Sequence, residues 1–247
     1  MNIIKRPCPE FTQGRKKYKP EAIVIHIMQG SLEGTDSWFD NRSSRVSAHY
    51  GVGKNGAVHQ FVEETDTAWH AGVVTNPSWT LIKKAGRGLY INPNYYTIGI
   101  EHEGTIDTEW TDAMYESTST LIANISQLWN IPIDRNHVIG HHEIYAVKAC
   151  PGNKVDFNRL IALAVQKTTM PKPQPIIKSV SPAAKAITKV PLNIRHSPSK
   201  SQPPVKVISV GATLYYVGQT EQGEEISGNR LWYLTSEGFW FWSGGVK

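Results

Sequence analysis

With 247 residues and 26 lysines and arginines against 21 acidic residues, the chain carries a formal charge of +5 and suits one large domain, or a large and a small one, around a substantial core. No stretch approaches the roughly 20 apolar residues that cross a bilayer, and MNIIKRPCPEF at the N-terminus lacks the apolar region of a secretory signal, so synthesis in the cytoplasm without a visible signal is expected. The positive excess is small, is not gathered into a run and is joined by no helix-turn-helix, zinc-finger or RNA-binding signature, which excludes nucleic acid as the expected partner.

Residues up to about 20 are rich in Lys, Arg and Pro and read as an irregular arm. Residues 21–28 (EAIVIHIM) read as a strand buried on both faces, ending in His26 beside a polar loop that opens a cleft. A short helix is expected over residues 36–42. Residues 46–63 (VSAHYGVGKNGAVHQFVE) form the clearest hairpin, with Asn55-Gly56 predicting a type I′ turn in which both central residues take positive φ. His49 and His59 on its strands are read as packing or hydrogen-bonding residues. TAWHAG follows, and its Trp69-His70 pair reads either as the edge of a binding groove or as an aromatic that caps the sheet. Residues 73–96 read as one long loop.

TIGIEHEG (97–104) is a central strand with Ile98 and Ile100 on one face and Glu101 on the other. A carboxylate inside a buried strand is costly unless paired or working, so Glu101 is the leading general-base candidate. Residues 111–129 have helical apolar spacing, residues 137–140 make a short strand, and residues 155–165 form a last helix with Asp156 as N-cap. Between these last two lies HVIGHHEIYAVKACPG, which concentrates His141, His142, Glu143, Lys148 and Cys150. Imidazole and thiolate are ligands that zinc favours, and a catalytic zinc site takes three protein ligands and leaves a fourth position open. This segment supplies two, and His26 is the candidate for the third. The other cysteine, Cys8, could pair with Cys150 in a disulfide, but a chain of this size needs no such staple.

Residues 170–186, with four prolines, several lysines and no acid, read as an extended linker. From 187 to 247 the composition changes to five short strands separated by glycines, which predicts a small closed β-barrel.

The order VIHI, VSAHYGVGKNG, AWHAG, TIGIEHEGT, GHHEI and KACPG, spanning about residues 22–163, resembles the zinc-dependent N-acetylmuramoyl-L-alanine amidases. That group includes phage lysozyme-type amidases and animal peptidoglycan recognition proteins. The resemblance implies an α/β fold with a mixed central sheet flanked by helices, and one Zn2+ per chain held by His26, His141 and Cys150. It further implies a catalytic carboxylate at Glu101 and, at Lys148, a basic residue assisting at the substrate carbonyl. Where phage lysozyme-type members have a catalytic tyrosine this chain has Ala48, which favours the Glu101 route. The muropeptide-recycling branch has aspartate where Cys150 stands. Trp69, His70 and Ala48 are expected to contact substrate. Residues from about 189, through LNIRHSPSKS and EGFWFWSGG, resemble bacterial SH3-like wall-binding domains.

These resemblances imply a monomeric peptidoglycan hydrolase with catalytic (1–169), linker (170–186) and wall-binding (187–247) parts. It would act on the bacterial cell wall after holin-type release or another export route. A recognition protein that binds peptidoglycan without cutting it, and a zinc peptidase acting within the stem peptide, are the alternatives.

Overall fold

A computed structural model describes residues 1–169, 175–200 and 204–247. Contacts divide the chain into two compact units, residues 1–170 and 171–247. Among the described residues no helix is long and apolar enough to cross a membrane.

In chain order the first unit contains β1 (Ile3–Lys5), β2 (Phe11–Thr12), β3 (Ala22–Ile25), α1 (Leu32–Asp40), β4 (Tyr50–Val52), β5 (Val58–Gln60) and β6 (Thr67–Ala68). It continues with β7 (Lys84–Gly86), β8 (Leu89–Tyr90), β9 (Thr97–His102), α2 (Asp112–Trp129), β10 (Val138–Gly140) and α3 (Phe157–Thr169). Six strands form a mixed sheet in the order β1-β5-β4-β9-β3-β10. The β4–β5 pair is antiparallel, and the neighbours β4, β9, β3 and β10 run parallel.

Strand alternation divides the core between the two faces of this sheet. Ile23, Ile25, Ile98 and Ile100 pack with Met114, Leu121, Ile122 and Ile125 of α2 and with Leu160 of α3. On the other face Ala22, Val24 and Ile139 meet Ala71, Trp79 and Tyr96. Glu101 and His26 follow that second alternation, so both lie on the face away from α2.

Several expectations are corrected. The N-terminal arm is not irregular throughout, because Ile3–Lys5 adds to the sheet edge parallel to β5. Helix α1 starts earlier than expected, at Leu32, because the Ser31 side chain caps it by accepting from the Gly34 N–H. The hairpin turn is not type I′: Gly56 has φ +82°, while Asn55 is not among the residues at positive φ. The Asn55 side chain instead accepts from Ala57 N–H at 2.9 Å, and Gly53 N–H reaches Ala57 O at 2.9 Å, closing a three-residue loop. Residues 73–96 hold the β7–β8 pair and a short 3-10 turn at Pro93–Tyr95 as well as loop.

The second unit contains β11 (Lys178–Ile187), β12 (Leu192–Ile194), β13 (Lys206–Ile208), β14 (Thr213–Thr220), β15 (Trp232–Leu234) and β16 (Trp240–Trp242). They form a four-stranded sheet, β11-β14-β15-β16, and a β12–β13 pair. Its core is Ala186, Leu192, Ile194, Phe241 and Val246. The expected linker therefore ends early: residues 178–187 are a strand antiparallel to β14, with an irregularity between Ser179 and Ala184 around Pro182, where proline can donate no ladder bond. The linker's Met170 to Gln174 lie outside the described residues.

Candidate metal centre

Register alone brings the first chemical groups together. Ile25 pairs with Ile100 of β9 on one side and Gly140 of β10 on the other. One residue further along these parallel strands stand His26, Glu101 and His141, level with one another at the carboxyl ends, where α/β sheets place their sites. Backbone pairing continues past β3, with His26 N–H donating to Ile100 O at 2.9 Å. His26 is 2 % exposed, and its Nδ1 lies 3.8 Å from Glu101 Oε1. The His26 and His141 rings lie with centroids 4.5 Å apart.

Cys150 arrives from the loop after β10. His142, the chain neighbour of His141, pins that loop: its backbone N–H and its Nδ1 meet the Cys150 carbonyl at 2.9 and 3.0 Å. The Cys150 sulfur accepts from Ile27 N–H at 3.3 Å and lies 3.8 Å from His26 Nδ1. Both Cys150 and Cys8 are free thiols, and Cys8 is buried, with its sulfur 3.0 Å from Phe39 O. Glu143 turns away to Arg135 and Gly140 N–H, both at 2.8 Å, so it braces the loop.

One ligand atom from each of His26, His141 and Cys150 falls within 4.8 Å of the other two. Donors on a tetrahedral zinc stand roughly 3.5 Å apart, given bonds of about 2.0–2.3 Å, so the trio fits that ion with a small inward adjustment. The electrostatics agree with the donor set. Burial pushes the Cys150 thiol well above its ordinary range, so a cation beside it is what favours the thiolate. Burial, with the Lys148 and His142 charges, lowers His141 to about 4, and burial lowers His26 well below 6.5, so both imidazoles are neutral lone-pair donors. Burial raises Glu101 to about 8, and its Oε2 has no hydrogen-bond partner among the described residues.

The trio floors a cleft of about 380 Å³ whose walls include Trp38, Phe39, Val46, Trp69, Ile106 and Lys148. Lys148 is exposed on its rim. Trp69 lines the cleft, anchored by its indole N–H on Thr12 Oγ1 at 3.0 Å. One expected substrate contact changes. Ala48 is 0 % exposed and packs with Leu32, Phe39 and Phe61, so it offers no surface to a ligand. His70 borders the cleft, but both ring nitrogens have partners inside the protein, His26 and Thr97. Trp38 was missed, although it is 53 % exposed on the cleft wall; the adjacent Trp38-Phe39 pair on one helix, where only one ring can face the core, was the available signal. Arg15 was also missed. Its buried guanidinium reaches the Asn94, Tyr95 and Thr97 carbonyls at 3.1–3.2 Å and ties the arm to the loop before β9.

The chain is 38% identical over 125 residues to N-acetylmuramoyl-L-alanine amidase A of Achromobacter lyticus, covering 49% of this chain and 60% of that protein. It is 34% identical over 119 residues to the 1,6-anhydro-N-acetylmuramyl-L-alanine amidase AmpD of Haemophilus influenzae, covering 48% and 58%. The chain thus spans about 60% of the length of these curated relatives. The crystal structure of a selenomethionine AmpD derivative superposes with a TM-score of 0.53 at 26% identity, over 65% of this chain and 93% of that one. With the N-acetylmuramoyl-L-alanine amidase profile (Amidase_2) matching residues 16–153, more than half of its length, the chain belongs to that amidase family.

Proposed function

We propose that the first unit hydrolyses the amide between the lactyl group of N-acetylmuramic acid and L-alanine in peptidoglycan, with His26, His141 and Cys150 holding a zinc ion. The observation that carries the reading is the approach of two imidazoles and a thiol to within 4.8 Å on a cleft floor, beside a buried carboxyl oxygen that has no hydrogen-bond partner among the described residues. Bound there, zinc would supply Lewis-acid polarisation and lower the pKa of water.

The protein's own groups do the rest. Glu101 accepts a proton from the attacking water as its oxygen bonds to the carbonyl carbon, and delivers that proton to the alanine nitrogen as the C–N bond breaks. A carboxyl raised to about 8 by burial is matched to both halves of that exchange near neutral pH. Lys148 on the rim offers positive charge to the developing oxyanion. The apolar wall of Trp38, Phe39, Val46 and Trp69 narrows access of water and gives the sugar a surface to lie against.

The second unit serves as an SH3-like wall-binding module in this reading, with a monomeric chain acting on the wall after holin-type lysis or another export route. Tyr215, 60 % exposed, and the partly buried Tyr233 and Trp242 are its aromatic surface.

Digestion of purified sacculi tests the proposal. New L-alanine amino termini on otherwise intact stem peptides are expected, and Glu101→Ala should keep its zinc while losing about 10²–10⁴ in rate. Cut peptides still attached to muramic acid would instead mark a stem peptidase, and binding without release would mark a recognition protein.

A further inference from the structure

We infer that His70 is a positioning residue for the proposed metal site: a one-way hydrogen-bond chain ending on the Pro93 carbonyl holds His26 as its Nε2–H tautomer and leaves Nδ1 as a bare lone pair. The inference rests on the zinc reading above, and it concerns how this chain prepares one ligand.

The direction of the chain is fixed at its far end. Thr97 Oγ1 lies 2.8 Å from Pro93 O, and a carbonyl can only accept, so the single hydroxyl proton is committed there. Thr97 Oγ1 also lies 3.3 Å from His70 Nε2 and can then only accept from it, so the proton of neutral His70 sits on Nε2. His70 Nδ1 is therefore the acceptor in its 3.1 Å contact with His26 Nε2, which must carry hydrogen. A neutral His26 so protonated has its lone pair on Nδ1. That atom faces the Cys150 sulfur and Glu101 Oε1, each at 3.8 Å. The opposite direction would pull the Thr97 proton from Pro93 and turn an N–H toward the thiol, away from ligand duty. Metal-binding histidines commonly donate their second N–H to a fixed acceptor, and here that acceptor is another imidazole.

Two further features hold the His70 ring in place. The backbone N–H groups of His70 and Ala71 donate to Asn94 Oδ1 at 3.1 and 2.7 Å. Beneath the ring is Gly99 of β9, where a Cβ would lie 2.5 Å from His70 Cγ. Glycine at position 99 thus gives the ring its seat, which accounts for a small residue between two isoleucines in a central strand.

The test uses the full chain, metal-free and with added Zn2+. In the metal-free wild type, side-chain 15N NMR should show His26 protonated at Nε2. Chelator competition should show one zinc, weakened about 10–100-fold in His70→Ala, the usual range for losing a partner of a metal ligand. His70→Asn, whose amide oxygen can replace Nδ1 as acceptor, should recover most of that affinity. Wild-type His26 protonated at Nδ1, or His70→Ala binding zinc as tightly as wild type, overturns the inference while the metal reading stands. A wild-type chain that binds no zinc sinks the metal reading itself, and this one with it.

Discussion

Replacing His142 with alanine removes the Nδ1–H bond to the Cys150 carbonyl, 3.0 Å long, but keeps the backbone N–H bond to the same oxygen at 2.9 Å. The site should lose one of two clamps on the loop that presents Cys150, and no ligand. A net intramolecular hydrogen bond contributes about 1 kcal/mol, which weakens zinc binding roughly fivefold if the whole of it is needed to hold the loop. Loss of ring packing over Gly140, where a Cβ would fall 2.6 Å from His142 Cε1, moves the figure toward tenfold. His141→Ala, by contrast, deletes a donor and should abolish stoichiometric zinc. Metal analysis of both variants after gel filtration, with affinities from chelator competition, separates the cases. Zinc-saturated His142→Ala should also digest sacculi at close to the wild-type rate. A His142 variant without zinc, alongside a His141 variant that retains it, would refute the assignment of these neighbouring imidazoles.

Two other consequences concern the scaffold. His49 is held well below 6.5 by burial and by the Arg15 charge, with His70 adding to it, so the native protein refuses a proton that the unfolded chain accepts. Below about pH 6.5 the unfolded state then binds more protons, and stability falls with pH by up to about 1.4 kcal/mol per unit from this residue alone, until the native pKa is reached. His49→Asn, which can keep an acceptor toward Gly99 N–H, should show a shallower acid slope in urea unfolding of metal-free protein between pH 6 and 4.5. An unchanged slope would remove His49 from the acid sensitivity. Gly152, at φ +94°, has no room for a Cβ, which would stand 2.2 Å from Ile106 O. Gly152→Ala should therefore displace the Cys150 loop and weaken zinc binding at least tenfold with the far-UV circular dichroism unchanged, and wild-type affinity in that variant would show that the loop does not need this close approach.

Much of the fold was legible because its signals are local. Alternating isoleucines in residues 97–100 mark β9, and the apolar spacing of residues 114–125 marks α2, whatever else surrounds them. Edge pairing is different. Ile3–Lys5 and Lys178–Ile187 become strands because a sheet edge accepts them, and nothing within either segment announces its partner. The hairpin turn shows a third limit. Asn-Gly permits a type I′ turn, but the side-chain bond from Asn55 to Ala57 selects another geometry.

The same division runs through the site. The chemistry of the donors was readable from residue types alone: a histidine ending an apolar run, a His-rich segment closing on cysteine, and a carboxylate in a buried strand have few structural uses. Their meeting was decided by tertiary structure, because His26, Glu101 and His141 become neighbours only through the parallel register of β9, β3 and β10. So were the different placements of His141 and His142, the burial of Ala48 and the turning of His70 toward His26. Residue type sets which atoms can donate, accept or bind a metal, while the direction in which each atom points depends on packing among segments far apart in the chain.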